Sequence, residues 1–458
     1  MKHIHLIGIG GSGMSAIARF LLEKGHAVSG SDRVESSFLD DLRKLNANIS
    51  IGHDPENIKD ADLIIRSSAI PNDNPEIIVA NNIGIPVVKR DEFLGTLMEG
   101  KIGIGVAGTH GKTTTSAMLA WVLTELKQDP SFILGGTLNN LGVNAHSGKG
   151  EIFIIEADEY DRMFLGLKPR IEVITNVEHD HPDCYPTEEE FIEAFHNFVD
   201  RLDDNGYLVL YGNDDNAPDF ANRTKQKNKQ VLMYGTPGKD TPNLDSSASN
   251  IIVNSRGGFN YSATINHKVC NVSLKVPGLH NVMNSLAVLT VIDILNLPLD
   301  KAAETLARFL GTGRRFEILG EPNGITLIDD YAHHPTEIRA TLAAAKSRYA
   351  NRTIWVVWQP HTYSRTQLMM SEFSKSFFNA DHVLVTEVYA AREPKKDFSA
   401  SEVVSMMDHL DAKFIAEIPD VAETLKNILL PGDVLLVLSA GDADQINEIV
   451  LDHFKKMR

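Results

Sequence analysis

The sequence predicts an α/β protein of three domains, and three observations carry that expectation. Short apolar runs of strand type alternate with stripes of helical spacing along the chain. Glycine-rich turns stand where such a run passes into such a stripe. The 458 residues are also too many for one hydrophobic core, so about two to four domains are expected.

Taken in order, His3–Ile7 is an apolar run, a glycine turn follows, and Met14, Ile17, Ala18, Leu21 and Leu22 recur at helical spacing. His26–Ser29, Leu63–Arg66 and Val87–Val88 are further strand candidates, which makes this first stretch a Rossmann-like unit with a parallel sheet. A second α/β unit begins near Lys101 with the strand Ile102–Ala107 and a helix over Thr113–Leu126 that carries Met118, Leu119, Trp121, Val122 and Leu126. Ile152–Ile155 and Val173–Thr175 read as buried strands, and Phe191, Ile192, Phe195, Phe198 and Val199 as a helical stripe. The polar Pro237–Ser249 reads as a surface loop, Ile251–Val276 as hairpins turning at Gly257-Gly258, and Leu279–Leu297 as helix. A third α/β unit follows Arg315, with strands at Ile325–Ile328, Ile354–Trp358, Val383–Val385 and Val434–Leu438. The expected domains are 1–99, 100–315 and 316–458.

Composition narrows the function. Lys and Arg number 44 against 61 Asp and Glu, a net charge of −17, which opposes general binding to nucleic acid or an anionic membrane. Small anions remain possible ligands where local donors and a metal gather positive potential. Two cysteines, Cys184 and Cys270, build neither a disulfide framework nor a metal site. No apolar run is long enough to span a membrane, and the glycines after His3–Ile7 break any signal-peptide core. A cytoplasmic protein is expected.

The strongest motif is Ala107-Gly108-Thr109-His110-Gly111-Lys112-Thr113-Thr114-Thr115, between a strand and a helix. Glycines let backbone N–H groups curl around phosphate oxygens at the positive end of the helix. Lys112 is expected to neutralise the β- and γ-phosphates, and the Thr113 hydroxyl can ligate Mg²⁺. The spacing departs from G-x-x-x-x-G-K-[ST], since Val106 stands five residues before Gly111. Glu156-Ala157-Asp158-Glu159-Tyr160-Asp161 follows the next strand, and Glu156 at a strand end suits a metal role, whereas Asp158 and Asp161 suit a solvated loop. Asn176-Val177-Glu178-His179-Asp180-His181 follows another strand, where His181 is placed to complete the metal site. Zinc is the rival ion, disfavoured by the lack of a ligating Cys pair.

Weaker signals complete the set. Asn281 and Asn284 share one helical face and suit an adenine or ribose, or a helix cap. Arg315, beside Arg314, suits the γ-phosphate across a cleft, with Asp330 placed to orient it or the ribose. Gly8-Ile9-Gly10-Gly11-Ser12-Gly13 after a strand, with Asp32 after the next, indicates a nucleotide diphosphate on the first helix without saying which; an NAD dehydrogenase is the naive reading.

Together with Ser29-Gly30-Ser31-Asp32, Ser67-Ser68-Ala69-Ile70, Arg314-Arg315-Phe316, Asp329 through Pro335 and Gln359-Pro360-His361, these motifs resemble the Mur ligase superfamily over nearly the whole chain. The resemblance implies a Rossmann-like UDP-sugar domain, a central P-loop ATPase-type domain and a Rossmann-like C-terminal domain that brings the amino acid. It implies an ATP-dependent amide ligase that joins L-alanine to UDP-N-acetylmuramate through an acyl phosphate, or, as the alternative, a tripeptide ligase of cell-wall recycling. A switch NTPase and a UDP-sugar sensor are the readings from other classes.

The implied ATP site is Gly108, Thr109, His110, Gly111, Lys112, Thr113 and Thr114 with Asn281, Asn284, Arg315 and Asp330. The UDP-sugar falls to Gly8, Gly10, Gly11, Gly13, Met14, Ser31, Asp32, Ser68 and His110, and the amino acid to Tyr331, His333, His361 and Arg365. Mg²⁺ falls to Thr113, Glu156 and His181. Catalysis falls to Lys112, Glu156, His181, Arg315, Asp330 and His333, the last as a candidate base for the incoming amine. Thr362 and His146 stand where arginine is usual in the superfamily, and Glu159-Tyr160-Asp161 is closer to the recycling ligase.

Overall fold

Each predicted run of strand type is a strand, and the strands gather into three sheets. The computed structural model describes residues 2–238, 243–391 and 393–456. The first sheet contains β1 (His3–Ile7), β2 (Ala27–Asp32), β3 (Asn48–Ile51), β4 (Leu63–Arg66) and β5 (Val87–Lys89). They are parallel, in the order β3-β2-β1-β4-β5. The order reverses between β1 and β4, so both the glycine turn after β1 and the Ser67-Ser68 turn after β4 lie on the sheet edge where such folds take ligands. Helices α1 (Ser12–Glu23), α2 (Ser37–Lys44), α3 (Pro75–Ile83) and α4 (Arg90–Met98) connect the strands.

The second sheet has a parallel centre flanked by antiparallel margins. Its strands are β6 (Ile102–Ala107), β7 (Ser131–Leu138), β8 (Val143–His146), β9 (Ile152–Glu156), β10 (Ile171–Ile174), β11 (Tyr207–Tyr211), β12 (Gln230–Gly235), β13 (Ser246–Val253), β14 (Phe259–Ile265) and β15 (Lys268–Ser273). They run in the order β15-β14-β13-β12-β11-β10-β6-β9-β7-β8, with β6 between β10 and β9. Covering helices are α5 (Lys112–Glu125), α6 (Glu188–Val199), α7 (Ala217–Gln226), α8 (Leu279–Ile294) and α9 (Leu299–Leu306).

One expectation fails in this unit. Within Pro237–Ser249, read as a surface loop, residues 239–242 lie outside the described residues, and Ser246–Ser249 form the start of β13. Serine has little strand propensity, but Ser246 and Ala248 are buried, and the Ser246 hydroxyl accepts a hydrogen bond from Thr290 at 2.8 Å. Packing against α8 overrides local preference.

The third sheet holds β16 (Glu317–Gly320), β17 (Thr326–Asp330), β18 (Ile354–Trp358), β19 (His382–Val385), β20 (Ala412–Phe414) and β21 (Val434–Leu438) in the order β16-β17-β21-β18-β19-β20, antiparallel only at β16. Around it lie α10 (Pro335–Arg348), α11 (Tyr363–Leu368), α12 (Met370–Ser374), α13 (Ser401–Met406), α14 (Ile418–Ile428) and α15 (Gln445–Lys456).

The cores are not divided as the sheets are. One buried apolar cluster runs from Leu6, Ile17 and Phe20 of the first unit to Phe153, Phe164 and Phe198 of the second. The Phe20 and Phe153 rings meet edge to face at 5.6 Å, and α1 packs on β7 and β8. The third unit has separate clusters centred on Trp358 and on Leu435. Among the described residues no helix is long and apolar enough to cross a membrane.

Candidate active site

The phosphate loop between β6 and α5 is shaped by two glycines that no other residue replaces. Gly108 and Gly111 have φ of +127° and +86°, the left-handed region that disfavours a side chain. A Cβ at Gly108 would strike Thr175, and one at Gly111 would come within 2.7 Å of Asn284 Oδ1. The N-terminus of α5 has no side-chain cap and no acidic residue in its first turn, which leaves its amide donors and positive dipole open to an anion. Lys112 lies over the loop, donating to the Gly108 and Thr109 carbonyls at 2.6 and 3.1 Å and to Glu159 Oε1 at 2.8 Å.

Two neighbouring strand ends deliver acids to this loop. Glu156, the last residue of β9, accepts from the Thr113 hydroxyl at 3.0 Å and from the Gly135 amide at 2.8 Å. Burial raises its pKa, and the Lys112 charge offsets this only in part. Glu159 is buried; its Oε1 faces both Lys112 Nζ and, at 3.4 Å, His181 Nε2. Glu159 Oε2 is buried without a hydrogen-bond partner, so Glu159, which the sequence reading left out of the metal set, is the acid that joins Lys112 to His181. Asp158 turns instead toward Arg90, at 3.2 Å. The donor set suits a hard divalent cation: a hydroxyl, two buried carboxylates, one with an orphaned oxygen, and an imidazole.

Lys112, Thr113, Glu156, Glu159, His181 and Arg315 all line one cleft of about 1100 Å³, to which all three units contribute. The first unit brings Ser12 and Gly13, at the N-terminus of α1. The Gly8 turn has φ +83°, and Asp32 closes it by accepting from the Gly10 amide at 2.8 Å. Gly11 caps α1 with no side-chain hydrogen bond, and Ser68 is exposed after β4.

Two residues expected at the UDP-sugar are buried. Met14 is 2% exposed within the core, because it lies on the buried face of α1. The Ser31 residue is fully buried, and its hydroxyl donates to Glu76 Oε2 at 2.6 Å. Arg90, which no motif had indicated, lies against Gly13 and lines the cleft beside the α1 N-terminus.

The third unit enters through two loops. Asp330, at the end of β17, accepts from the Phe316 and Ala332 amides at 2.7 Å each. Burial lifts its pKa to about 6 against the pull of Arg315. It thus anchors the linker, in which Arg314 and Phe316 are left-handed at φ +57° and +49°. Arg315 stacks over Tyr331 at 5.0 Å. Burial drops His333 to about 4, and its Nδ1 lies 2.9 Å from the Tyr331 carbonyl, so Nδ1 carries the hydrogen and Nε2 is the acceptor. A base that weak is better suited to orient an amine than to store its proton. Arg365 is 2% exposed and donates to Asp180 at 2.8 and 2.7 Å, with His361 Nδ1 3.0 Å away. Asn281 and Asn284 hydrogen-bond each other at 3.1 Å beside Gly111.

His110 is the meeting point of the second and third units. Its Nε2 faces Glu178 at 2.9 Å, and its Nδ1 faces Glu337 of α10 at 3.2 Å. Burial opposes the imidazolium, but these two hydrogen bonds overcome it and push His110 up to about 9. The ring is therefore charged at neutral pH and committed to carboxylates. His110 thus bridges the two units, and its backbone stays in the phosphate loop. His110, Glu178 and His334 present ligand atoms within 4.8 Å of one another, a spacing that a protonated His110 fills with ion pairs. Glu178 and Asp180 stood inside a quoted motif, and Glu337 stands three residues after the His334 cap, the spacing of a capping box; those were the available signals.

Three family models cover the chain in order: the Mur ligase family catalytic domain over residues 3–102, the Mur ligase middle domain over 106–292 and the Mur ligase glutamate ligase domain over 314–441. Similar proteins include the UDP-N-acetylmuramate–L-alanine ligases of Geobacter sp. strain M21, 41% identical with 99% of this chain and 98% of the relative covered, and of Geobacter sulfurreducens, 40% identical with 100% and 99% covered. Among solved structures, a UDP-N-acetylmuramate-alanine ligase from Thermotoga maritima superposes with a TM-score of 0.85 at 30% identity over the full length of both chains. A murein peptide ligase from Psychrobacter arcticus gives 0.74 at 25% identity, with 99% of each chain covered.

Proposed function

The chain belongs to the Mur ligase family, and from that premise we propose how its cleft performs the reaction. The activity is ATP-dependent ligation of L-alanine to UDP-N-acetylmuramate, through an acyl phosphate, with release of ADP and phosphate. The named relatives and the higher TM-score of the alanine ligase favour this over the tripeptide reaction. One observation carries the mechanism: Lys112 and Thr113, on a loop built to hold phosphate, touch Glu159 and Glu156 in a cleft that also receives the α1 N-terminus and the amino-acid loops.

The γ-phosphate and the muramoyl carboxylate are both negative, so their contact requires neutralisation. Lys112 exchanges its loop carbonyls for phosphate oxygens, and Arg315 approaches from the third unit. Mg²⁺ would be held by Thr113, Glu156, Glu159 and His181, and would supply the remaining positive charge. The carboxylate attacks the γ-phosphorus and ADP leaves. The alanine amine, oriented by His333 Nε2 and facing Tyr331 and His361, then attacks the acyl carbon as the free base; the bond from that carbon to the phosphate oxygen breaks, and the departing phosphate takes the proton that the nitrogen sheds. The glycine turns of the first unit, with Ser68 and Arg90, hold the UDP moiety, and Asn281 and Asn284 face the nucleotide from α8. We place the domain limits at 1–99, 100–315 and 316–458 and the reaction in the cytoplasm, where ATP and the UDP-sugar are made.

ADP production measured with UDP-N-acetylmuramate and a panel of L-alanine, L-serine, glycine and the cell-wall tripeptide tests the assignment. L-alanine is expected to give the highest kcat/KM. Turnover with the tripeptide alone would overturn it.

A further inference from the structure

We propose that Glu337 is a positioning residue that couples the two half-reactions, by docking the amino-acid-bearing unit on the phosphate loop through His110. This rests on the ligase reading above.

The carboxylate is divided between two tasks. Glu337 is the third residue of α10, and its Oε2 accepts from the His333 amide at 3.1 Å, a local helix cap. Its other oxygen leaves the helix. Oε1 lies 3.2 Å from His110 Nδ1 on the phosphate loop and 3.6 Å from Arg315. A capping glutamate needs no such reach, and capping alone leaves its second oxygen to water. Here that oxygen lies between the His110 and Arg315 side chains of the cleft. A second contact joins the same surfaces: Thr336 donates to Glu178 Oε1 at 2.8 Å, while Glu178 Oε2 faces the opposite nitrogen of His110. The imidazolium is clamped between an acid of its own unit and an acid of the third.

The consequence is geometric. One side chain sets the position of the His333 backbone, of Arg315 and of the loop residue two before Lys112. The first of these belongs to the amine step and the other two to the phosphoryl step. With the link intact, the acyl phosphate forms only where the amine is already aligned. Without it, the loop and the nucleotide remain, but the amine and its loop drift, and a displacement of about 1 Å costs about a hundredfold in such a step. Water then takes the acyl phosphate.

The test measures ADP and amide product in parallel for the full-length protein and for Glu337→Gln and Glu337→Ala. The wild type is expected to form them in equal amounts. Glu337→Ala should lose about a hundredfold in amide formation, raise KM for L-alanine and form on the order of tens of ADP per amide. Glu337→Gln, which keeps a capping oxygen but not the charge, should show the same uncoupling in weaker form. His110→Asn combined with Glu337→Ala should be no worse than Glu337→Ala alone, since both cut one link. Equal falls in ADP and amide, with their ratio unchanged, would show a merely structural role and overturn the proposal. So would multiplying effects in the double variant. A wild type that forms no amide at all would instead defeat the ligase reading.

Discussion

Lys112 lies 2.8 Å from Glu159 and in the field of Asp158 and Glu156, and although burial opposes its charge these acids raise its pKa. Replacing it with alanine removes the phosphate loop's own cation and leaves the acids facing the polyphosphate. Turnover is expected to fall by about two to four orders of magnitude, measured as ADP release by the folded variant; near-normal turnover would refute the phosphate role. Glu172 shows the opposite case of a buried acid. It lies in β10 with both oxygens buried and unpartnered, and burial raises its pKa well above 4.5, opposed weakly by Lys229. The folded form therefore holds its proton more tightly than the unfolded chain, whose group titrates near 4.5. Its stability contribution is present in full below that value and is lost as pH rises through and above it. Glu172→Gln should leave the melting midpoint at pH 4 nearly unchanged and raise it by about 2–4 °C at pH 8. A midpoint that is equally shifted at both pH values would contradict the account.

At the scale of the element, the strand–loop–helix junctions were legible because their chemistry is local. A glycine turn, a lysine and a threonine between β6 and α5 declare a phosphate loop wherever they stand. Gly111→Ala should test how closely that loop is made, since its φ of +86° and the approach of Asn284 both exclude a methyl group. ATP affinity, followed by titration calorimetry, is expected to fall about tenfold or more, because strain of this kind costs about 1–3 kcal/mol; an unchanged affinity would contradict it. What was not legible depends on packing. The start of β13 is a run of serines and looks like a loop until α8 covers it. Ser31 and Met14 sit in a nucleotide-binding motif, yet face inward, because the motif specifies backbone shape and not which side chains remain exposed.

Across the whole molecule, the first two units share one apolar cluster through α1, whereas the apolar clusters of the third are its own and ion pairs join it to the second. Arg365 with Asp180, and His110 with Glu337, cross that boundary. Neither pair could be read from the sequence, since the partners lie 185 and 227 positions apart. Removing one partner of a buried pair costs about 3–5 kcal/mol. Because Asp180 meets Arg365 only when the third unit is docked, Asp180→Asn should loosen docking before it unfolds a domain. Limited proteolysis at the linker around Arg314–Phe316 is expected to speed up, and KM for L-alanine to rise about tenfold or more; unaltered cleavage and KM would show that other contacts hold the units together.

The account stands on a carboxylate being phosphorylated in this cleft before the amine attacks. UDP-N-acetylmuramate carrying ¹⁸O in its lactyl carboxylate tests that step directly. During turnover with ATP and L-alanine, labelled oxygen should appear in the released inorganic phosphate. Phosphate free of label, with amide still forming, would contradict it.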